Sequence, residues 1–363
     1  MKCKLSDVCE YRKGKVHVSN LTLKTYISTE NMLPNKAGVV EANSLPSTTL
    51  VQEYKENDTL VSNIRPYFKK VWQAKHDGGC SNDVLVFQGK ANIDKDFLYY
   101  ILANDDFFAY SMATSKGTKM PRGDKKSIMQ YELQLFDIKI QKKIVSILKL
   151  LDKKIELNNA INNNLAQQAK TIYQTWFEKF ILSNGSCPPT WKRGILADIA
   201  NITSGKRPPK KSTKKQNGFE IPLLGATSIV GFTNEANYTN KILVIGRVGT
   251  HGIVQRINFP CWASDNTLVI TSELYEYTFQ ILQKINYHAM NRGSTQPLIT
   301  QADMNKVDIL IPDNQILTEF ESIVGQLMKK YETNLMENTK LAELRDYLLP
   351  CLLSGELDVS HQV

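Results

Sequence analysis

Cationic and amide side chains in loops rich in glycine, proline and serine are the residues of this chain best suited to chemistry. The set that we predict to contact a polyanion is Arg65, Lys69, Lys70, Lys116, Lys119, Arg122, Lys206, Arg207, Lys210, Arg247, Arg292 and Gln296. A lysine neutralises a phosphate without reading a base, whereas an arginine fork can pair with guanine and a glutamine amide with adenine. We therefore predict base contacts for the arginines and the glutamine, and phosphate contacts for the lysines. The alternatives are a salt bridge for any single arginine and a solvated surface for the lysines.

Sequence motifs for catalysis are missing from the chain. An amino-methyltransferase needs Asp, Asn or Ser followed by Pro-Pro and an aromatic residue, but the Pro-Pro pairs here lie in CPPT (187–190) and RPPK (207–210). The glycines form neither a dinucleotide-binding fingerprint nor a GxxxxGK phosphate loop. The histidines are dispersed, so no metal site is expected; they are His17, His76, His251, His288 and His361. The residues predict a binding protein without catalysis of its own.

A long stretch that must position these loops occurs twice. Residues 144–177 and 320–353 can be aligned without a gap at a constant offset of 176 positions. At this offset the lysine pair 153–154 aligns with the pair 329–330, and Glu156 aligns with Glu332. The loops before the two stretches keep the same offset, with Gly293 over Gly117. We conclude that the chain contains an internal duplication.

The apolar residues of the repeated stretch alternate steps of four and three, as in Ile144, Leu148, Leu151 and Ile155. This spacing predicts a long helix that winds around a partner helix. Where the apolar seam is interrupted, both copies have asparagine, at Asn158 and Asn162 and at Asn334 and Asn338. If the helices pair antiparallel, Asn158 would face Asn338 and Asn162 would face Asn334, which would fix the register. The alternative is that each helix packs on its own domain and the asparagines face water.

The segments before each long helix also correspond in outline. Two strand-like runs, 59–64 and 83–87, correspond to 241–247 and 263–270 in the second half. A helical run at 97–113 corresponds to 277–290. We predict an α+β fold with two similar α/β domains separated by two long antiparallel coiled-coil helices about a pseudo-twofold axis. The predicted boundaries are a first domain at 1–138, a first helix at 139–183, a second domain at 184–312, and a second helix with the C-terminal tail at 313–363.

Composition agrees with a soluble protein that binds a polyanion. Of the 363 residues 42% are hydrophobic and 22% charged, and the net charge of +9 favours nucleic acid as a partner. No run of eighteen apolar residues suggests a membrane span, and the first residues lack the apolar core of a signal peptide. The six cysteines lack the paired spacing of a zinc site. We expect a cytoplasmic protein with reduced thiols.

The chain resembles the specificity subunit of a type I restriction-modification system. The features that carry the resemblance are the duplication, the loops GTKMP (117–121) and GSTQPLIT (293–300), the junction IPDNQILTEFESIVGQLMKK (311–330) and the tail LLPCLLSGELDV (348–359). The first junction follows the same pattern more loosely, with Phe136 where Pro312 stands in the second. The resemblance covers nearly the whole chain, but it says nothing about which DNA sequence is recognised.

The resemblance implies that each domain is a target recognition domain that binds double-stranded DNA in the major groove, on one half of a split, asymmetric target. It also implies that the helices hold the domains apart and bind two methyltransferase subunits, with restriction subunits as possible further partners. S-adenosylmethionine, ATP and Mg are then expected on the partner subunits and no cofactor in this chain. From the residues alone, a coiled-coil adaptor whose globular ends bind proteins is the alternative, and a self-contained restriction enzyme is a weaker one.

Overall fold

The computed structural model describes residues 1–117, 119–248, 252–290 and 298–359. Over these residues the chain forms two compact units. The first consists of Met1–Asn158 together with Met336–Val363, and the second of Asn159–Leu335. The division falls inside both long helices, so each unit contains one part of each helix.

The secondary structure combines short strands with helices of very different lengths. The strands are β1 Lys2–Lys4, β2 Cys9–Tyr11, β3 Lys15–His17, β4 Tyr26–Ile27, β5 Leu50–Tyr54, β6 Thr59–Ser62, β7 Val71–Gln73, β8 Gly78–Cys80, β9 Val84–Gly89, β10 Glu132–Gln134, β11 Lys192–Ile195, β12 Asn201–Ser204, β13 Ile221–Leu224, β14 Ile229–Thr233, β15 Ile242–Gly246, β16 Val254–Ile257, β17 Trp262–Ala263, β18 Thr267–Thr271 and β19 Asp308–Ile311. The helices are α1 Leu5–Val8, α2 Lys95–Ala103, α3 Asp105–Ala113, α4 Lys125–Ile128, α5 Ile138–Phe177, α6 Tyr275–Lys284, α7 Gln301–Asn305 and α8 Asn314–Ser354. Among the described residues, no helix is both long enough and apolar enough to span a membrane.

The first unit is built on an antiparallel sheet with the strand order β2-β9-β6-β7. Because neighbouring side chains of a strand point to opposite faces, each face of this sheet has its own core. On one face Val61 and Phe87 pack against helices α2 and α3. On the other face Leu60 and Val86 pack against the second sheet, whose order is β3-β5-β8-β4. Because both faces of the sheet are buried, the sequences of its central strands are continuous apolar runs.

The second unit repeats this arrangement. Its main antiparallel sheet has the order β12-β18-β15-β16, which matches the order in the first unit strand for strand. Leu243 and Ile245 face helix α6, and Val244 faces the opposite core with Val269. A strand before the sheet pairs with a strand just before the long helix in each unit, β1 with β10 and β11 with β19. The predicted internal duplication and α+β class are therefore confirmed.

Several element boundaries differ from the sequence prediction. The helical run 97–113 is divided into α2 and α3, because Asn104 between them has an extended backbone (φ −69°, ψ 143°) and is the N-cap of α3. The run predicted at 277–290 is helical only at Tyr275–Lys284. The first long helix ends at Phe177 and not at 183, since Phe180 adopts the left-handed region (φ 51°) and Ile181–Ser183 form a 3-10 turn. The domain boundaries themselves stay a prediction.

The long helices pair antiparallel within each unit, as the asparagine positions predict. In the first unit the Asn158 Nδ2 donates to the Asn338 Oδ1 at 2.9 Å and to the Glu337 Oε2 at 2.9 Å. In the second unit the Asn334 Nδ2 donates to the Asn162 Oδ1 at 2.9 Å. Asn158, Asn162 and Asn334 are all buried. The alternative in which these asparagines face water is wrong.

The buried contact between Asn162 and Asn334 gives a stability prediction. Replacing Asn334 with leucine alone is expected to lower the free energy of unfolding by about 1–3 kcal/mol, because the buried Asn162 Oδ1 loses its donor. Replacing both asparagines with leucine should recover that loss while weakening the register. Urea denaturation of the wild type, both single variants and the double variant measures the coupling. Asn163→Leu, at an exposed position one residue away, is the control, and an Asn334→Leu protein more stable than the wild type would contradict the prediction.

Candidate nucleic-acid interface

In the first unit, the predicted loop residues lie against the end of the central strand β6. The Arg65 backbone N–H donates to the Pro121 carbonyl at 2.8 Å, and the Gly123 N–H donates to the Asn63 carbonyl at 3.1 Å. Lys116 and Arg122 exchange a pair of backbone hydrogen bonds, each 2.9 Å long. The loop 114–124 and the segment after β6 therefore form one surface; nothing is described for Thr118.

Carboxylates accompany most of the cations on this surface. Lys69 lies 2.6 Å from Asp105, Lys116 2.5 Å from Asp124, and Arg122 3.1 Å from Asp83. The hydrogen bond from Lys116 lowers the pKa of Asp124 below its ordinary value. The cationic side chains remain 34%, 80% and 54% exposed, and exposed ion pairs are worth little. A DNA phosphate could replace each carboxylate at a small cost in free energy. These cations can therefore form salt bridges in the free protein and still contact DNA as predicted.

Lys70 and Lys119 are placed differently. The Lys70 Nζ donates to the Thr29 carbonyl at 2.6 Å, and burial lowers its pKa. Lys119 is exposed at the tip of the loop. Lys119 is therefore the better candidate for a phosphate contact, and Lys70 also stabilises its own unit.

Arg65 and Arg247 lie beyond equivalent strands of the duplicated sheet, Arg65 three residues after β6 and Arg247 directly after β15. The structural counterpart of Arg247 is Asn63, whose N–H donates to the Asp83 carbonyl at 2.8 Å and whose carbonyl accepts from the Gly123 N–H at 3.1 Å. The Arg247 backbone N–H donates to the Asn266 carbonyl at 2.9 Å, and its carbonyl accepts from the Ile299 N–H at 3.0 Å. In the part of the chain that is described, the Nε atoms of both arginines are buried without a hydrogen-bond acceptor. A buried donor without an acceptor is costly, so a movement of either side chain that brings its guanidinium to an acceptor on a ligand would be favoured.

The other predicted residues of the second unit lie in the segment 206–210. The Lys206 N–H donates to the Ala263 carbonyl at 2.9 Å, and the Trp262 indole donates to the Lys206 carbonyl at 2.7 Å. The Lys210 carbonyl accepts from the Thr233 hydroxyl at 2.7 Å. The backbone is thus held while the side chains of Lys206, Arg207 and Lys210 remain exposed. Arg292 and Gln296 lie outside the described residues.

A buried ionic network that the sequence did not predict connects helix α8 to the sheet β12-β18-β15-β16 of the second unit. Arg256 in β16 donates from Nη1 and Nη2 to both carboxylate oxygens of Glu276, at 2.6 and 2.8 Å, and from Nη2 to Glu332 of helix α8 at 2.9 Å. Glu321, also on α8, accepts the backbone N–H groups of Glu276 and Tyr277 at 3.0 and 2.8 Å. Burial acts to lower the pKa of Arg256, but the hydrogen bonds that it donates to Glu276 and Glu332, together with the negative charge of Glu276, raise it overall.

The first unit has an exposed ion pair at the corresponding place. Glu156, which is 176 positions before Glu332, lies 3.1 Å from Lys75, and their side chains are 65% and 70% exposed. A different contact is closer to the core of this unit: Asp152 accepts from the Tyr100 hydroxyl at 2.6 Å and from the Arg345 Nη1 at 3.0 Å. The two units therefore use different side chains to hold their sheets to the helices. Among the described residues, no group of three or more His, Cys, Asp and Glu side chains is arranged to hold a metal ion.

Curated relatives of the chain are similar over most of its length. It is 24% identical to the HindI type I restriction enzyme specificity subunit of Haemophilus influenzae, over 92% of this chain and 94% of the relative. It is 25% identical to the MjaIX type I restriction enzyme specificity subunit of Methanocaldococcus jannaschii, over 74% of this chain and 71% of the relative. Among solved structures, the S subunit of a type I restriction-modification system from M. genitalium has the same fold, with a TM-score of 0.59 and 17% identity over 97% of this chain and 96% of that one.

The family model described as "Type I restriction modification DNA specificity domain" matches residues 1–167 and 188–345. The matches lie on both copies of the duplication and include the loops and the greater part of both long helices. The chain therefore belongs to the type I restriction-modification DNA specificity family, as a non-catalytic specificity subunit.

Proposed function

We propose that the chain recognises a bipartite, asymmetric DNA target, with one half bound by each unit. The observation that carries this proposal is that each unit places an arginine, Arg65 or Arg247, just beyond the equivalent strand of the duplicated sheet. The loops around the two arginines differ in sequence, TSKGTKMPRGD in one unit and NRGSTQPLIT in the other. Because base recognition depends on the side chains that reach the groove, different loops would select different bases.

The long helices would act as spacers and as the binding surface for two methyltransferase subunits. Helix α5 has 40 residues and α8 has 41, and a 40-residue helix is about 60 Å long at about 1.5 Å per residue. In the first unit the helices expose Leu150, Leu157, Met336, Leu344 and Tyr347, each by 45% or more. In the second they expose Ile323 and Leu335 by 44% and 45%. Apolar side chains exposed along a helix are suited to contacts with helices of a partner.

The chemistry would come from those partners. Methyltransferase subunits would bring S-adenosylmethionine, and restriction subunits, if the system has them, would bring ATP and Mg. This chain would supply the DNA sequence that is read and the surface on which the partners assemble. Its absence from the complex should therefore remove target choice and leave the partners' cofactor binding intact.

The proposal is tested with the chain co-expressed with the methyltransferase subunit of its own system. We expect the complex to methylate one split sequence in DNA, found by sequencing the methylated positions, and to bind that sequence in a shift assay. Binding should weaken as salt is raised, because contacts with phosphates release counterions. Methylation of a continuous target, or DNA binding that does not respond to salt, would contradict the proposal. Assembly with partner proteins but no binding to DNA would favour the adaptor alternative.

Exchange of one recognition domain tests whether the units read independently. Replacing residues 1–135 with the corresponding part of another member of the family should change one half of the methylated sequence and leave the other half unchanged, since the second recognition sheet and its loops are retained. The methylated positions of the hybrid, compared with those of both parents, measure the result. A hybrid with both halves altered would show that the units do not read separately.

A further inference from the structure

The segment Arg65–Lys70 of the first unit, with the sequence RPYFKK, exposes a pair of aromatic rings. Tyr67 is 48% exposed and Phe68 38%, and their ring centroids are 4.7 Å apart. Pro66 beneath them is buried. Adjacent rings that remain outside the core contribute little to folding, and exposed apolar surface of this kind marks a contact site.

The backbone that presents these rings is held in an uncommon conformation. Arg65 and Lys69, at the two ends of the turn, both lie in the left-handed region with φ of 50°. The facing turn contributes Asn35 and Lys36, with φ of 55° and 62°. Their N–H groups donate to the Phe68 and Lys69 carbonyls at 2.8 and 2.9 Å. Such conformations are costly for residues other than glycine, and they concentrate at functional sites when the surroundings enforce them.

Cationic side chains lie near the rings, although Lys36 and Lys69 are both paired with the Asp105 carboxylate. The Lys70 Nζ lies 5.7 Å from the centre of the Phe68 ring. The Arg65 backbone N–H binds the Pro121 carbonyl, which places the loop containing Lys119 and the 46%-exposed Met120 next to the turn. Among the described residues, the buried Arg65 Nε has no hydrogen-bond acceptor. Exposed rings beside cationic side chains fit a ligand that offers both aromatic faces and phosphates.

We infer that the Tyr67–Phe68 pair stacks on bases of the DNA half-site bound by the first unit. This inference rests on the proposed function and adds a contact mode to it. In a duplex the faces of the bases are covered by their neighbours, so the pair would reach them by inserting between base pairs, as apolar wedges do. A ring can stack on any base because every base has an aromatic face, so the pair would contribute affinity and groove position more than base choice. In the second unit the segment that follows Arg247 reads VGTHGI and contains no phenylalanine, tyrosine or tryptophan. The stacking contact is therefore confined to one half-site.

The test uses the complex of this chain with its methyltransferase subunit. It measures the affinity of that complex, over a range of salt concentrations, for a duplex that contains the target sequence identified from the methylated positions. Tyr67→Ala and Phe68→Ala are each expected to weaken binding about tenfold, the size of a lost base–aromatic stack. The slope of log affinity against log salt should stay unchanged, because no phosphate contact is removed. Lys119→Ala in the same assay should instead lower the slope by about 0.9, the value for one phosphate.

Conservative and distant variants separate stacking from a structural role. Tyr67→Phe and Phe68→Tyr keep the rings and should bind like the wild type. Leu50→Ala, which removes an apolar side chain of similar exposure (43%) from strand β5 of the other sheet, should also bind like the wild type. Alanine variants that bind the target normally, or that lose the methyltransferase subunit without DNA present, would overturn the inference. Failure of the wild-type complex to bind its target would contradict the proposed function as well.

Discussion

Replacing Arg256 with methionine is expected to lower the free energy of unfolding of the second unit by about 3–5 kcal/mol, because it leaves the buried Glu276 carboxylate without its main partner. The Glu276 side chain is only 2% exposed and that of Arg256 only 8%. Lys241, at 3.2 Å, is the other cation within ion-pair distance of Glu276 among the described residues. One exposed lysine cannot replace a bidentate guanidinium.

The aromatic rings beside Arg256 increase the loss of stability expected for Arg256→Met. Its guanidinium carbon lies 4.9 Å from the centre of the Tyr275 ring and 4.7 Å from that of Phe279. Methionine can fill part of the volume between these rings, but it cannot provide the cation–π attraction. Arg256→Lys should keep the positive charge but lose the bidentate geometry of the guanidinium. We therefore expect its stability to lie between those of the methionine variant and the wild type.

The measurement is urea denaturation with hydrogen exchange in strands β15 and β16 as the local readout of the second unit. Lys75→Met is the matched control, because it breaks the exposed pair with Glu156, the counterpart of Glu332, and should change stability by no more than about 0.5 kcal/mol. A double variant with Arg256→Met and Glu276→Leu should recover much of the loss, since no buried charge remains unpaired. Equal losses for Lys75→Met and Arg256→Met would contradict the explanation.

The long helices and their register were accessible to prediction from the sequence because both depend on local periodicity. Apolar steps of three and four define the seam, and the duplicated asparagines together with antiparallel pairing place Asn158 opposite Asn338 without any knowledge of the rest of the fold. The central strands were also predictable, since runs such as TLVS and ILVIG are apolar on both faces. The break at Asn104 was missed because the residues on both sides of it have helical spacing, although Asn104 followed by Asp105 and Asp106 is a helix start signal.

The ionic network and the exposed turn could not be derived from periodicity. Arg256, Glu276 and Glu332 are brought together from separate elements, and nothing in the local sequence of any one of them identifies the other two. The carboxylate partners of the predicted DNA-contacting cations, such as Asp105 for Lys69, are equally distant in sequence. The aromatic turn did carry a signal, since RPYFKK interleaves rings with cations, a composition typical of nucleic-acid contacts. Of this segment, only the cations Arg65, Lys69 and Lys70 were among the residues predicted to bind DNA.

Arg65→Ala and Arg247→Ala are expected to relax base choice in different halves of the target. An arginine fork on guanine contributes about 1–3 kcal/mol of discrimination, and each variant removes one such fork from one unit. The choice of these arginines depends on their places just beyond equivalent strands of the duplicated sheet and on their buried Nε atoms. The folded units should tolerate the substitutions, since no side-chain hydrogen bond of either arginine is lost within the described residues.

The readout is the set of DNA sequences methylated by the complex with its methyltransferase subunit, supported by competition binding with duplexes altered at one base pair. Arg65→Lys and Arg247→Lys are the matched controls: they keep the charge but lose the bidentate geometry, so affinity should be largely retained while base choice is relaxed. If the alanine variants weaken binding equally to all sequences and lower the salt slope, the arginines contact phosphates. If either variant alters both halves, the two units are coupled, and independent reading of the half-sites is wrong.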